Sequence, residues 1–482
     1  MASDRNLTAQ KLAVLGADRL AELLLELAAG DAALKRQLRL ELAAQAGSAD
    51  VAGQIAKRLA TIAKSKSRLD WSKLPALAKD LATQHAAIIK HVAPTQPAEA
   101  VNLLWRLLDL GPSLYDRCDD APARIDDVIA GARDDLGKFL QAGAPPLADL
   151  VERVFASIYD DGHGVFDGLI ALAAPALGKE GLLALQAKVE AQAKAPPPAP
   201  PPGERRVIGY SLAGPNRGPI YADDWAASRR QRQLQTALTE IADALGDVDS
   251  YINRFTPAEQ TNPYTAAQIA TRLLAAGRAA EAMAAIDRAA ATRAAGGYWP
   301  DWDAARIETL DALGRADEAQ QARLAVFEHS LNPAYLRAYL KRLPDFDDIE
   351  AETKAIAQVR ARADAAAALA FLIKWPAHQA AAAHVLARWR EFDGDDYELL
   401  AAAADALEAR HPLAATLMLR AMISFALDKA RSKRYPHAAR HLQSCAHLAP
   451  RIEDWGIHPR HDDWVAALRE RHAGKRAFWA DL

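Results

Sequence analysis

The segment RLLAAGRAAEAM at 272–283 is answered by TLDALGRADEAQ at 309–320, and this pair decides how the chain folds. In each copy an apolar run ends in Gly-Arg and a second run opens with a glutamate. Gly277 and Gly314 stand where a helix C-terminus takes a left-handed residue. Glu281 and Glu318 fall near the positive end of the next helix. The two glycines are 37 positions apart, a spacing between the tetratricopeptide and HEAT periods, in which each helical hairpin stacks on a neighbour to bury its apolar face. The expected fold is all-α, a right-handed helical-hairpin solenoid of tetratricopeptide or HEAT type. A third copy, ALEARHPLAATLML at 406–419, lacks the turn glycine, so the repeat is degenerate.

Downstream, alanine-rich helices are expected at 349–362, 363–375, 377–390 and 397–409, followed by helices opening at His411-Pro412 and at Tyr435 and a last one at 463–472. Small residues on these faces allow the close backbone approach that stacked hairpins need. Upstream, a helix at 226–244 precedes the matched pair. Before it lies APPPAPPP at 195–202, which favours polyproline II and excludes helix. This run marks the expected domain boundary: an N-terminal array at 1–192, a Pro-rich linker with an irregular loop at 193–225, and a tetratricopeptide-like array at 226–482.

Within 1–192, apolar residues recur at helical spacing almost throughout. Asp31 and Ser48 are N-cap candidates, and Pro75 suits the first turn of a helix. The segment 97–110 is expected to be that helix's antiparallel partner, burying Leu103, Leu104, Trp105, Leu107 and Leu108. Further helices are expected at 125–141, 146–159, 164–177 and 180–192, and β signals are nearly absent.

Composition bounds the function. With 51% hydrophobic and 25% charged residues the chain has a globular balance. A net charge of -3, from 59 basic and 62 acidic residues, argues against nucleic-acid binding by the surface as a whole. The two cysteines, Cys118 and Cys445, are far apart, and MASDRNLTAQKL lacks the pattern of a secretory signal. A reducing, cytoplasmic setting and no membrane span are expected, since no charge-free apolar run reaches the necessary length.

The segments DDGHGVFDGLI at 160–170, LTEIADALGDVDSYI at 238–252 and HPLAATLMLRAMI with RYPHAARHLQSCAHLAPRI between 411 and 452 resemble an uncharacterised bacterial helical-repeat family, domain of unknown function 6880. The tail, with LRERH and KRAFW, is similar to that family's end and to the C-terminal helices of SWIM zinc-finger proteins. The zinc finger itself needs cysteine and histidine pairs that two distant cysteines cannot supply. The resemblance implies an all-helical, repeat-like fold and no particular reaction.

Candidate chemistry is concentrated at the C-terminus, where seven of the 13 histidines lie between His411 and His472. His437, His441 and Cys445 recur every four residues on one expected helix and share a face, so zinc is the possible cofactor if a further ligand such as His461 arrives from elsewhere. One straight helix cannot place three ligands tetrahedrally, and packing at a helix interface is the competing reading. A second cluster, Lys57, Arg58, Lys64, Lys66, Arg68 and Lys73, falls within 17 positions and could contact phosphates, with Trp71 alone for stacking. A solvated helix end explains it as well. GYSLAG at 209–214 falls short of a nucleophile elbow, because Gly214-Pro215 prevents the helix that must follow the serine. DDGHG at 160–164 reads as a turn rather than a calcium loop. The pairs Asp119-Asp120, Asp126-Asp127 and Asp134-Asp135 read as helix-start and surface charge.

The expected function is therefore recognition: a non-catalytic scaffold binding a protein or peptide on a concave face. Candidate contacts on first helices are Tyr264, Gln268, Arg272, Arg306 and Tyr335. A metal-dependent enzyme using the C-terminal histidines and nucleic-acid binding at the basic cluster are the alternatives.

Overall fold

The computed structural model describes residues 8–70, 72–118, 123–159, 161–195, 205–211, 218–293 and 297–480. Trp71, Asp119, Asp120, Asp160, the proline run from Pro196 and the end of GYSLAG at 212–214 lie outside them. Among the described residues the chain is helical apart from one small hairpin and an isolated bridge between Leu69 and Cys118, and it divides into two compact units, Met1–Thr256 and Pro257–Leu482.

In the first unit, helices Ser48–Lys64, Leu74–Ala87, Pro97–Leu108, Ala123–Gly143, Leu147–Tyr159 and Leu169–Lys194 enclose one core. Pro97 fills the first turn of its helix, where no backbone donor is needed, and Leu103, Leu104, Trp105, Leu107 and Leu108 are all buried. Each such leucine contributes about 2 kcal/mol by leaving water. The main partner of this helix is Ala123–Gly143, not the helix at Pro75. At Gly143 the two backbones approach so closely that a β-carbon would lie 2.4 Å from the Pro97 carbonyl carbon.

Leu169–Lys194 is long and apolar enough to cross a membrane by composition alone. It is broken at Gly178 (φ 58°, ψ -175°), where the sequence also places a break, and Leu169, Ile170, Ala173, Leu177, Leu182, Leu185 and Val189 face the core. The strands Val207–Ser211 and Gly218–Tyr221 pair antiparallel in a segment expected to be an irregular loop. Helix Ala222–Ala244 then places Leu234, Ala237, Leu238 and Ile241 in the first core, packed on Leu169–Lys194. A helix assigned from sequence to the second array thus belongs to the first unit, and the boundary between compact units falls after Thr256.

The second unit is a series of helical hairpins. Pro263–Ala275 pairs with Ala279–Ala290 and Pro300–Ala312 with Ala316–Ser330, and the first helices of the two hairpins pack on each other. The matched turns are alike in detail. Gly277 and Gly314 have φ of 73° and 71°. Arg278 N–H donates to Leu273 O at 2.8 Å and Arg315 N–H to Leu310 O at 2.9 Å, closing a Schellman cap. Each of these arginines then grips a glutamate, Arg278 with Glu281 at 2.7 Å and Arg315 with Glu318 at 2.6 Å. The same cap recurs without glycine after helix Pro412–Asp428, where Ala430 has φ 50° and Arg431 N–H donates to Ala426 O at 2.9 Å.

Candidate partner-binding cleft

Helices Tyr397–Leu407, Pro412–Asp428 and Tyr435–Leu448 pack in sequence near the end of the second unit. The middle one is buried from Ala414 to Met422 with the exception of Ala421, and its apolar side chains dominate the local core. Gly394, in the loop before Tyr397, presses against its backbone; a β-carbon there would meet Ala421 O at 2.3 Å.

Two clefts meet at Gly394. One, of about 340 Å³, has an apolar floor of Met422, Ala426 and Ala438, with Tyr397, Arg434, His437 and His441 around it. That volume is at the lower end for a binding pocket. Arg434 is fixed by an ion pair with Asp395 at 2.6 Å and lies 5.3 Å from the centre of the Tyr397 ring, which is 53% exposed. Burial, followed by the charges of His437 and Arg440, lowers the pKa of His441 from its ordinary value. The second cleft, of about 390 Å³, lies among Trp389, Phe392, Arg420, Phe425, His458 and Trp464.

The histidine and cysteine trio does not converge. His437 is exposed and its Nδ1 accepts from Arg440 Nη2 at 2.9 Å; His441 is half-buried; Cys445 is fully buried with its Sγ 4.0 Å from Thr416 O. Burial pushes the Cys445 thiol up to about 12, disfavouring the thiolate a metal needs. Among the described residues no three His, Cys, Asp or Glu side chains converge on a possible ion, and His461 does not complete the set. The three side chains spread from solvent to core along the helix Tyr435–Leu448 and are not brought together around one point.

The basic cluster is also partly absorbed. Arg58 Nε and Nη2 donate to Asp80 at 2.8 and 2.5 Å, and Arg36 joins the same buried carboxylate at 3.3 Å. Lys73 pairs with Asp70 at 3.0 Å, whereas Lys57, Lys64, Lys66 and Arg68 are exposed. Tyr264, Gln268 and Arg272 are successive turns of Pro263–Ala275, and Arg306 is half-buried on the neighbouring first helix. Tyr335 is half-buried and packs against the core of Met283, Ile307 and Leu310. Ser211 ends a strand of the small hairpin. Asp161 accepts from the N–H groups of His163, Val165 and Phe166 at 3.2, 3.0 and 2.7 Å, the work of a turn-forming residue.

Arg420 is the residue that sequence reasoning passed over. It is the sole charged residue of LAATLMLRAMISFAL at 413–427, and a lone arginine inside an apolar helix is the signal that would have found it.

Fold and clefts define an all-helical repeat protein. The chain belongs to the family of unknown function DUF6880, whose model matches residues 2–481. No curated protein matches it. Among solved structures, it is similar to a circular tandem repeat protein with novel repeat topology and enhanced subunit contact surfaces, at 14% identity over 95% of this chain and 98% of that one. The TM-score is 0.14.

Proposed function

We propose that this protein is a non-catalytic helical-repeat scaffold that binds a partner polypeptide, and that the cleft at Tyr397 receives an apolar side chain of that partner. The observation that carries this reading is the cleft's construction. An apolar floor of Met422, Ala426 and Ala438 lies beneath a half-exposed tyrosine ring, with Arg434 and His437 beside it. Aromatic and arginine side chains around an apolar pocket are the usual anchors of polypeptide recognition. Arg434, which gives Asp395 only its Nη1, favours a segment that carries a carboxylate next to its apolar anchor. Tyr264, Gln268, Arg272 and Arg306 extend the proposal to the first helices of the matched hairpins.

The test is selection of random displayed peptides on the full chain. Acidic peptides with a conserved apolar anchor are expected, with affinity falling at least about tenfold for Tyr397→Ala. Selected peptides that bind equally well to Tyr397→Ala would remove the cleft from the proposal.

A further inference from the structure

Arg420 is 5% exposed, and among the described residues no carboxylate lies in ion-pair range of it. Its Nη1 donates to Pro459 O at 3.0 Å, while Nε and Nη2 are shielded from water and bonded to nothing. A buried charge left in this condition is costly. The indoles of Trp455 and Trp464, centred 4.9 and 4.7 Å from the guanidinium carbon, offset part of that cost through their π faces. They supply no acceptor. The thiol of Cys445, close enough to feel the arginine's charge, is kept neutral by its own burial. His461 is near enough to be affected by the same charge, and its Nδ1 is also buried without a partner.

The two unused donors are the pair that forms a parallel fork. Elsewhere in this molecule that same edge takes a carboxylate: Arg278 holds Glu281 at 2.7 and 2.7 Å, Arg315 holds Glu318 at 2.6 and 2.6 Å, and Arg388 holds Glu391 at 2.9 and 2.5 Å. Arg420 lines a cleft of about 390 Å³ whose other walls include Trp389, Phe392, Phe425 and Trp464, and because Nε and Nη2 are closed off from water, a ligand in it reaches them only when an adjoining side chain turns aside. We infer that this cleft is a binding site for a carboxylate attached to an aromatic or other apolar group, with Arg420 gripping the carboxylate through Nε and Nη2 and the aromatic walls holding the rest. A planar monoanion fits the fork. Asp393 at the same cleft opposes a dianion such as phosphate. The inference does not rest on the scaffold reading, because a free acid and a polypeptide C-terminus present the same group.

Calorimetric titration of the full chain with phenylacetate, phenylacetamide, inorganic phosphate and a short peptide ending in Phe, with its C-terminus free or amidated, tests it. A carboxylate is expected to bind saturably and at least about tenfold more tightly than its amide. Binding of the free-ended peptide without phenylacetate identifies a chain terminus as the source; equal binding of phenylacetate identifies a small acid. Arg420→Lys, which keeps the charge but loses the fork, is expected to weaken binding by at least about tenfold. Should that variant fail to fold, the acid and amide comparison on the natural chain still decides. Acid and amide of equal affinity, tighter binding of phosphate, or no carboxylate binding up to about 10 mM overturns the assignment.

Discussion

Gly394 lies so close to Ala421 that a β-carbon at position 394 would stand 2.3 Å from the Ala421 carbonyl oxygen, with the Phe425 β-carbon at 2.5 Å. The loop that separates the two clefts therefore has no room for a side chain. Gly394→Ala is expected to destabilise the second unit by about 1–3 kcal/mol through overpacking, read as a lower midpoint in urea. A midpoint equal to that of the natural chain would mean that the loop relaxes away from the helix.

Gly277 and Gly314 have open space where a β-carbon would go, so only their positive φ opposes substitution. Gly277→Ala is expected to cost about 1 kcal/mol and Gly277→Asn less, since asparagine tolerates the left-handed region better. Glu281→Gln, which removes an exposed ion pair of the same turn, should leave the urea midpoint within error. If the glutamate change costs more than the glycine change, the cap is not what holds the hairpin.

Cys445 should resist iodoacetamide at pH 8 in the native protein and react once the chain is unfolded, as read by intact mass. Its burial and raised thiol pKa both suppress the reactive thiolate. Fast native labelling would show that the helix interface around Thr416 opens.

Glu240 lies at a cleft of the first unit with Asp161, Asp167 and Arg229. Burial raises its pKa above the ordinary 4.5, and the charges of Asp167 and Asp243 add to the rise. The native state therefore holds this proton more readily than the unfolded chain, so the ionised carboxylate costs stability at neutral pH. The cost is relieved as pH falls through the native value and is gone below the unfolded one. Glu240→Gln should raise the thermal midpoint at pH 7 by about 1–2 °C, and the difference should close below about pH 4. A difference that grows on acidification would contradict this sign.

What could be read in the sequence was local. Gly277 and Gly314 announce their turns because a left-handed backbone selects glycine, Gly178 breaks its helix, and the leucines of Pro97–Leu108 declare a buried face. Choice of partner is not local. Helix Ala222–Ala244 has the composition of either array, and only its packing on Leu169–Lys194 assigns it to the first unit. Spacing alone put His437, His441 and Cys445 on one face, but it could not say that the helix would carry them from solvent into the core. Arg58 looked like surface charge until Asp80, 22 positions away, was folded against it. Arg420 was visible as an isolated charge, yet its missing acceptor exists only in three dimensions.

The central claim, that the cleft at Tyr397 receives a polypeptide, is tested most directly by placing a photo-crosslinking phenylalanine at position 397 of the full chain and irradiating it with a selected peptide. Mass spectrometry should find the peptide joined at 397, and an excess of unlabelled peptide should prevent the link. A peptide that binds with unchanged affinity but never crosslinks at 397 would contradict the account.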